Sequence, residues 1–585
     1  MTALALLLFQ TLAGGQSILA DNVHLVTPVA GLERTHSEVK VVNVDGPGFT
    51  RALRVHVKDR SNETNITQLT LPNATVVEQG DTLLASVWLK GPGQAEFLFE
   101  KSTDPWTKSV TRGLSVPSQW RRFLIPFRSA QTYNPGEAMV SLRLAFGPQT
   151  IDIGAVDVVS YGKTKTLDQL VEYAISQSPL GEVRVDFNLK NTNQTMLGFG
   201  GNFCQPRYGS TEPMDVVGNY ALNHLNVVHA RIGLPLNSWN PSPGVYRDDA
   251  QAKASLEALQ IMARRGIPTV VSVWEGPTWM LGGNPEQNGR ILPREKYRQC
   301  IDAIAEYLVV ARDKYRANVG YFSFNEADYG VNFKFSPQQI ADFIRQAGPV
   351  FESRGLKTKF LVGDTANASN FVGYATPLLE DRSIARFLGP LAFHNWDALS
   401  ASEQAYTGIA ALGKKYGKPV WCLEAGHDAQ LWQAKDPWAD WENGLRLAMA
   451  YERTIRQTNA VLMDYWTYQD NYPLVDKQGP KPYHVFHVMK QMENVFAPGS
   501  KVVNPKISRP GLQAIGTVGK RFALLLVNSE GPGAVTLTGL PKNARVQVLV
   551  NSRDRRNLVR TAKVDSRGML RVRVPMRSVL SIRQR

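Results

Sequence analysis

The sequence predicts an α/β protein, a (β/α)8 barrel flanked by an N-terminal β-sandwich and a small C-terminal β-domain. Three observations predict it. Between about 193 and 500, eight short apolar runs alternate with amphipathic stretches of helical period, the arithmetic of a closed parallel barrel. Before about 162 the apolar positions alternate with a period of two, as in half-buried strands. After Lys501 the same strand-like texture returns.

Taken in order, the chain opens with Met1 to Phe9, largely apolar, followed by small and polar residues to Ala20. The stretch 1–20 reads as a signal peptide, although it lacks a basic n-region. Export is therefore expected, to a secreted, periplasmic or extracellular location. Residues 22–162 read as the sandwich, from runs such as Ala52–Val57, Leu83–Leu89 and Val140–Ala145. Trp88, Trp106 and Trp120 belong to it as candidate sugar platforms, though each is expected chiefly in its core. Residues 163–192 read as a connector, with one helix from Leu167 and one strand over Val183–Phe187, open to sharing strands with the C-terminal domain.

The eight barrel runs begin at Met196, Val227, Thr269, Gly320, Phe360, Leu391, Val420 and Ala460. Helical stretches between them include Ala252–Arg265, Arg294–Tyr315, Pro337–Arg354 and Trp441–Gln457. A doubly wound open sheet alternates in the same way. However, Gly198-Phe-Gly-Gly201 lacks the spacing of a phosphate-binding loop. Residues 193–500 are therefore read as the barrel, and 501–585 as the terminal β-domain.

The chain carries a net charge of +15 on 585 residues. Residues 501–585 hold 18 Lys and Arg against 3 Asp and Glu, a surplus equal to the whole net charge. That segment is a candidate contact for an acidic polymer or an anionic envelope surface; a solvated, Arg-rich sheet face accounts for it equally. No motif points to nucleic acid, and no run is long enough to span a bilayer. The three cysteines, Cys204, Cys300 and Cys422, form no CxxC pair.

Barrel enzymes carry their chemistry where strands end. The strand ends here offer Arg231 on the second, Trp274 and Glu275 on the third, and Asn325-Glu326 on the fourth. The sixth offers His394, Asn395 and Trp396, the seventh Glu424 and the eighth Trp466. Two carboxylates facing one cavity are what glycosidic cleavage requires: one protonates the leaving oxygen and the other attacks the anomeric carbon. Retention of configuration needs them about 5–5.5 Å apart. Consecutive strand residues point to opposite faces, so Asn325 and Glu326 share the pocket only if the strand breaks there. A metal site needs converging His and carboxylates, and the sequence shows no such spacing, so neither metal nor other cofactor is expected.

These residues resemble clan A of the glycoside hydrolases, the "4/7" barrel superfamily. The resemblance implies that Glu326 is the acid/base and Glu424 the nucleophile. It implies that Asn325 binds a sugar hydroxyl, Arg231 supports the nucleophile, Trp466 floors the cleaved sugar, and His394 stands beside the nucleophile. Trp274, Trp396 and Trp279 are further candidate stacking faces, with Trp239 and Trp432 behind them. Gly198-Phe-Gly-Gly-Asn202 and Phe496-Ala-Pro-Gly-Ser500 are similar to family 30, with family 39 the next resemblance. The N-terminal sandwich is similar to the jelly-roll carbohydrate-binding modules that accompany such enzymes. The expected activity is retaining hydrolysis of a β-linked poly- or oligosaccharide, with Glu326 raised in pKa and Glu424 ionised. Two other readings stay open: a transglycosylase using the same residues, and a non-catalytic carbohydrate-binding or envelope-associated protein. Glu275, Asp328, Asp364, His427 and Asp428 are read as structural or rim residues.

Overall fold

The computed structural model describes residues 14–20, 37–58, 64–177, 180–284, 289–330, 333–433, 436–469, 472–479 and 481–585. The first thirteen residues of the stretch read as a signal peptide lie outside these. The chain forms two compact units, residues 1–179 and 180–585.

The first unit is a sandwich of two antiparallel sheets. One sheet runs Ser37–Gly46, Phe49–Val57, Gln149–Ser160, Thr82–Lys90, Arg121–Arg128, with Gln16–Ser17 pairing alongside Gln149–Ser160. The other runs Gln68–Pro72, Ala138–Arg143, Gly93–Lys101, Lys108–Val116. Alternate residues such as Leu83, Ala85, Val87 and Leu89 face the shared core. Ile18 and Leu19 are buried in the same core. The helix Leu167–Ser176 packs Leu170 and Ala174 against Leu84 and Val159. The segment 163–192 thus divides, its helix joining the sandwich. Trp88 and Trp120, expected in the core, instead gather around Phe49 with centroids 6.2 and 4.9 Å away. Trp106 is 45% exposed.

The second unit holds the closed eight-stranded parallel barrel: β1 Gly198–Phe203, β2 Val227–Gly233, β3 Thr269–Val273, β4 Tyr321–Phe324, β5 Lys359–Thr365, β6 Leu388–His394, β7 Val420–Ala425 and β8 Ala460–Tyr465. β1 pairs with β8 and closes it. Helices such as Ala250–Arg264, Tyr297–Asp313, Pro337–Ser353 and Trp441–Thr458 bury an apolar stripe against the strands. Their starts are set by side-chain caps, Asp249, Ser336 and Asp440 each accepting a bond from a first-turn amide.

The glycines of β1 make room for the barrel's interior. A Cβ on Gly200 would lie 2.2 Å from an Asp464 oxygen and 2.3 Å from the His229 carbonyl oxygen. One on Gly201 would strike the Tyr468 ring at 2.2 Å. Asp464 and His229 are hydrogen-bonded at 2.6 Å below the catalytic end. Thus the glycine run in the first strand answers to close packing, not to a phosphate.

The C-terminal region forms two sheets around a separate core. One contains Gly181–Asp186, from before the barrel, paired in parallel with Gly533–Thr538. In the other, Ser578–Gln584 lies between Phe522–Asn528 and Arg545–Ser552. Gln491 of a barrel helix reaches this sheet, donating to the carbonyls of Leu549 and Val579. Gly200→Ala is expected to destabilise the barrel by about 1–3 kcal/mol, the usual cost of overpacking; a lowered urea midpoint of the barrel transition checks it.

Candidate active site

At the C-terminal end of the barrel the side chains converge on Arg231. It is wholly buried, and each of its three nitrogens donates. Nε donates to Ser272 Oγ at 2.8 Å, Nη1 to Glu424 Oε1 at 2.8 Å, and Nη2 to Asn325 Oδ1 at 2.7 Å and Asp364 Oδ2 at 2.6 Å. Ser272 and Ser323 bond each other at 2.8 Å, and Ser323 donates to Asp364 at 2.7 Å. This chain of polar groups crosses four consecutive strands, β2 to β5.

The fourth strand ends as the sequence requires. β4 stops at Phe324, the Asn325 amide still donates to Val273, and Glu326 turns into the left-handed region at φ 48°. Its amide then donates to the Asp364 carbonyl at 2.9 Å. The turn brings Asn325 and Glu326 to the same side, at a backbone cost of about 1–2 kcal/mol. Asp364 is also left-handed, at φ 54°. Such residues gather where a site demands them.

His394 links the acids. Nδ1 lies 2.9 Å from Glu326 Oε1 and 3.3 Å from Glu424 Oε2, and Nε2 lies 3.0 Å from Asp364 Oδ1. A neutral imidazole donates from one nitrogen only; with carboxylates on both sides the doubly protonated ring fits best. Burial alone would pull the His394 pKa down, but Glu424, Asp364 and Glu326 together push it up to about 10. Asp364 is also fully buried, which acts to raise it, yet Arg231 and His394 hold it below the ordinary aspartate range.

Glu424 receives donors from Arg231, from the Trp396 indole at 3.2 Å and from His394. Burial pushes its pKa up; Glu326 adds to this, while His394 and Arg231 act against it. The expectation of an ionised Glu424 is opposed by its burial, which favours the neutral form. One ligating atom each from Glu326, His394 and Glu424 lies within 4.8 Å of the others. The convergence that the sequence did not show is therefore present. The trio could offer a cation three ligands, but Glu424 already pairs with a guanidinium and His394 with carboxylates on both nitrogens. That arrangement is neutralised ion pairing.

The Asn325 side chain is 1% exposed, and its Nδ2 has no partner, a buried donor awaiting an acceptor. The Trp274 and Trp466 rings stand 6.0 Å apart, and Trp274 carries the Arg231 guanidinium 4.4 Å from its centroid. Trp279 has other partners, the Asn240 carbonyl and Lys296. Trp239 is buried, donating to the Ala303 carbonyl; Trp432 is 54% exposed.

Among the residues read as structural, Asp328 accepts from Ala366 and Asn370. Asp428 caps its own loop at Gln430. His427 bonds Asn443, and burial holds its pKa down at about 4. Asp364 is different: the structure puts it at the centre, and a lone Asp at a strand end gave no sign of this. The three cysteines are all free and buried, and burial pushes the Cys204 thiol up to about 12.

No family model matches the chain, and no curated protein matches it in sequence. Solved structures match it in fold. A family 30 endoxylanase from Clostridium papyrosolvens C71 aligns with a TM-score of 0.56 at 16% identity, over 69% of this chain and 100% of that one. A family 30 subfamily 8 xylanase from Clostridium acetobutylicum gives 0.56 at 17%, over 69% and 100%. The chain has the fold of family 30 glycoside hydrolases. An endo-β1,6-glucanase shares that fold at a TM-score of 0.50 and 15% identity, over 68% of this chain and 94% of its own. One fold thus serves different linkages, and the chemistry must be argued from the side chains. Among the described residues no helix is long and apolar enough to cross a membrane.

The raised pKa of His394 makes a stability prediction. A group raised from 6.5 to about 10 stabilises the fold fully below 6.5 and loses that contribution as pH climbs through about 10. The urea-stability gap between the wild type and His394→Asn should be widest below pH 6.5 and close toward pH 10. A gap that widens with pH would mean an uncharged ring.

Proposed function

We propose that the chain is a retaining β-glycosidase acting on a β-linked poly- or oligosaccharide. In this reading Glu424 attacks the anomeric carbon while Glu326 protonates the leaving oxygen. Glu326 then takes a proton from water as the glycosyl-enzyme is hydrolysed. The observation that carries it is the approach of the two carboxylates: oxygens from Glu326 and Glu424 come within 4.8 Å of each other. That matches double displacement and leaves no room for the water that an inverting pair, about 6.5–9.5 Å apart, must admit.

The surrounding groups suit the same chemistry. Arg231 and Trp396 orient the nucleophile's two oxygens. The unpartnered Asn325 Nδ2 is suited to a sugar hydroxyl next to the reacting carbon. Trp466 is suited to set its ring against the pyranose C–H groups, whereas the Trp274 ring already carries the guanidinium groups of Arg231 and Arg207. His394, bonded to Glu326, can hold that carboxyl in place while its proton leaves and returns. A transglycosylase would use every one of these groups, with an acceptor sugar in place of water. The basic segment 501–585 is proposed as an accessory contact for acidic polymer, on its charge alone, and export is proposed from the composition of residues 1–20.

Azide separates the roles. Glu424→Ala should abolish hydrolysis of aryl β-glycosides, and azide should rescue it with formation of the α-glycosyl azide. Glu326→Ala should lower turnover of poor leaving groups by about 10²–10⁴-fold, and azide should give the β-glycosyl azide. Reversed anomers would exchange the roles. Full activity in both variants would remove the proposal.

A further inference from the structure

The surplus charge of the C-terminal region is gathered by its topology. Four strands lie side by side in the order Phe522–Asn528, Ser578–Gln584, Arg545–Ser552, Arg555–Lys563. Their register sets Ala523 opposite Arg583, Arg583 opposite Gln547, and Arg545 opposite Lys563. Opposed side chains share a face, and so do those two apart on one strand. Each strand therefore contributes one cation to the same face at the same end of the sheet: Arg521, Arg583, Arg545 and Lys563, all exposed. Arg545 and Lys563 stand directly opposite, about 5 Å apart, and the diagonal neighbours about 7–8 Å apart.

These four cations are left without acids. The ion pairs of this region among the described residues use Arg553, Arg567, Arg571 and Arg577 instead. Two of those lie at the other end of the same sheet, where Arg553 meets Asp440 and Arg577 meets Glu442 at the start of the helix Trp441–Thr458. The segment's three acids do not help. Glu530 and Asp554 follow Asn528 and Ser552 at that other end. Asp565 is taken up by the Arg567 side chain and by the amides of Arg567 and Met569. Like charges directly opposite on a sheet are destabilising, so the Arg545–Lys563 pair costs the fold something and gains it no contact.

The row also lies away from the paired carboxylates. Val518 pairs with Phe522 and with Lys501, and Lys501 bridges to Thr195 just ahead of β1. This end of the sheet thus stands toward the N-terminal ends of the barrel strands. Glu326 and Glu424 stand at their C-terminal ends, where the other end of the sheet meets the helix that follows β7.

We propose that the row is an anchoring site for a linear acidic polysaccharide bearing carboxylates or sulfates, separate from the chain being cleaved. This rests on the accessory contact proposed above for residues 501–585, and gives it a place and a partner. Arginine edges match carboxylate and sulfate oxygens, and Gln547 and Thr561, opposite each other on the same face, suit sugar hydroxyls. Among the described residues the segment exposes no aromatic ring on which a base would stack. Its one exposed large apolar side chain is Val559, too little to enter a bilayer.

The test uses the full-length protein with Glu424→Gln added to stop turnover. Calorimetric binding is measured to hyaluronan and chondroitin sulfate oligosaccharides, each against its carboxyl-reduced or desulfated twin. At least one acidic ligand should bind about ten-fold or more tightly than its twin, and less so as salt is raised. The triple variant Arg545→Gln, Lys563→Gln, Arg583→Gln should lose about ten-fold or more of that affinity. A control triple of equal charge change elsewhere on the segment, Arg555→Gln, Arg560→Gln, Arg573→Gln, should lose less than about two-fold. The row variant should keep or raise its urea midpoint, since a repulsion is removed, and that shows it is folded. Equal losses in both triples would overturn the site and leave only a diffuse contact of the segment; no acidic preference at all would remove both. Tighter binding to phosphatidylcholine vesicles containing phosphatidylserine, or to single-stranded DNA, would give the row another partner and overturn the proposal. With Glu424 intact, the row variant should hydrolyse aryl β-glycosides as the wild type does; a fall would make the row part of the cleavage site and overturn the anchor. Row-dependent binding with no hydrolysis of any glycoside would remove the glycosidase reading and leave the anchor standing.

Discussion

The C-terminal end of this barrel depends on one buried guanidinium. Arg231 satisfies Glu424, Asn325, Asp364 and Ser272 at once. A charge so enclosed is tolerable only because its partners are charged or hydrogen-bonded in return. Remove it, and two carboxylates and an amide lose their common anchor. The arrangement fixes an ionic balance: Arg231 and the imidazolium of His394 face Glu326, Asp364 and Glu424.

Backbone strain works toward the same end. A regular fourth strand would send Asn325 and Glu326 to opposite faces. The left-handed turn at Glu326 cancels that alternation, and the amide it frees bonds to the carbonyl of Asp364, itself left-handed. The two distortions support each other across neighbouring strands. Scaffold and site are therefore not independent: the hydrogen bond that continues the sheet also aims the proposed acid.

Much of this was legible from the sequence because strand ends in a parallel barrel are both easy to recognise and chemically exposed. The eight apolar runs gave the barrel, and Asn325-Glu326, Glu424, Arg231 and His394 all stood at their ends. Asp364 stood there too, but one carboxylate among many gives no sign that it will be enclosed. The sandwich misled in one place: Trp88 was assigned to the core on hydrophobicity, yet the strand's period of two, with Val87 and Leu89 facing inward, turns it away.

The strand Ser578–Gln584, the latest in sequence of its sheet, lies at the middle rather than the rim. Its neighbours Phe522–Asn528 and Arg545–Ser552 bond to it on either side, not to each other. During synthesis they must wait as two unpaired edges until it emerges from the ribosome. The barrel, whose eight strands are all made earlier, can close first and hold Gln491 ready for the sheet that completes last.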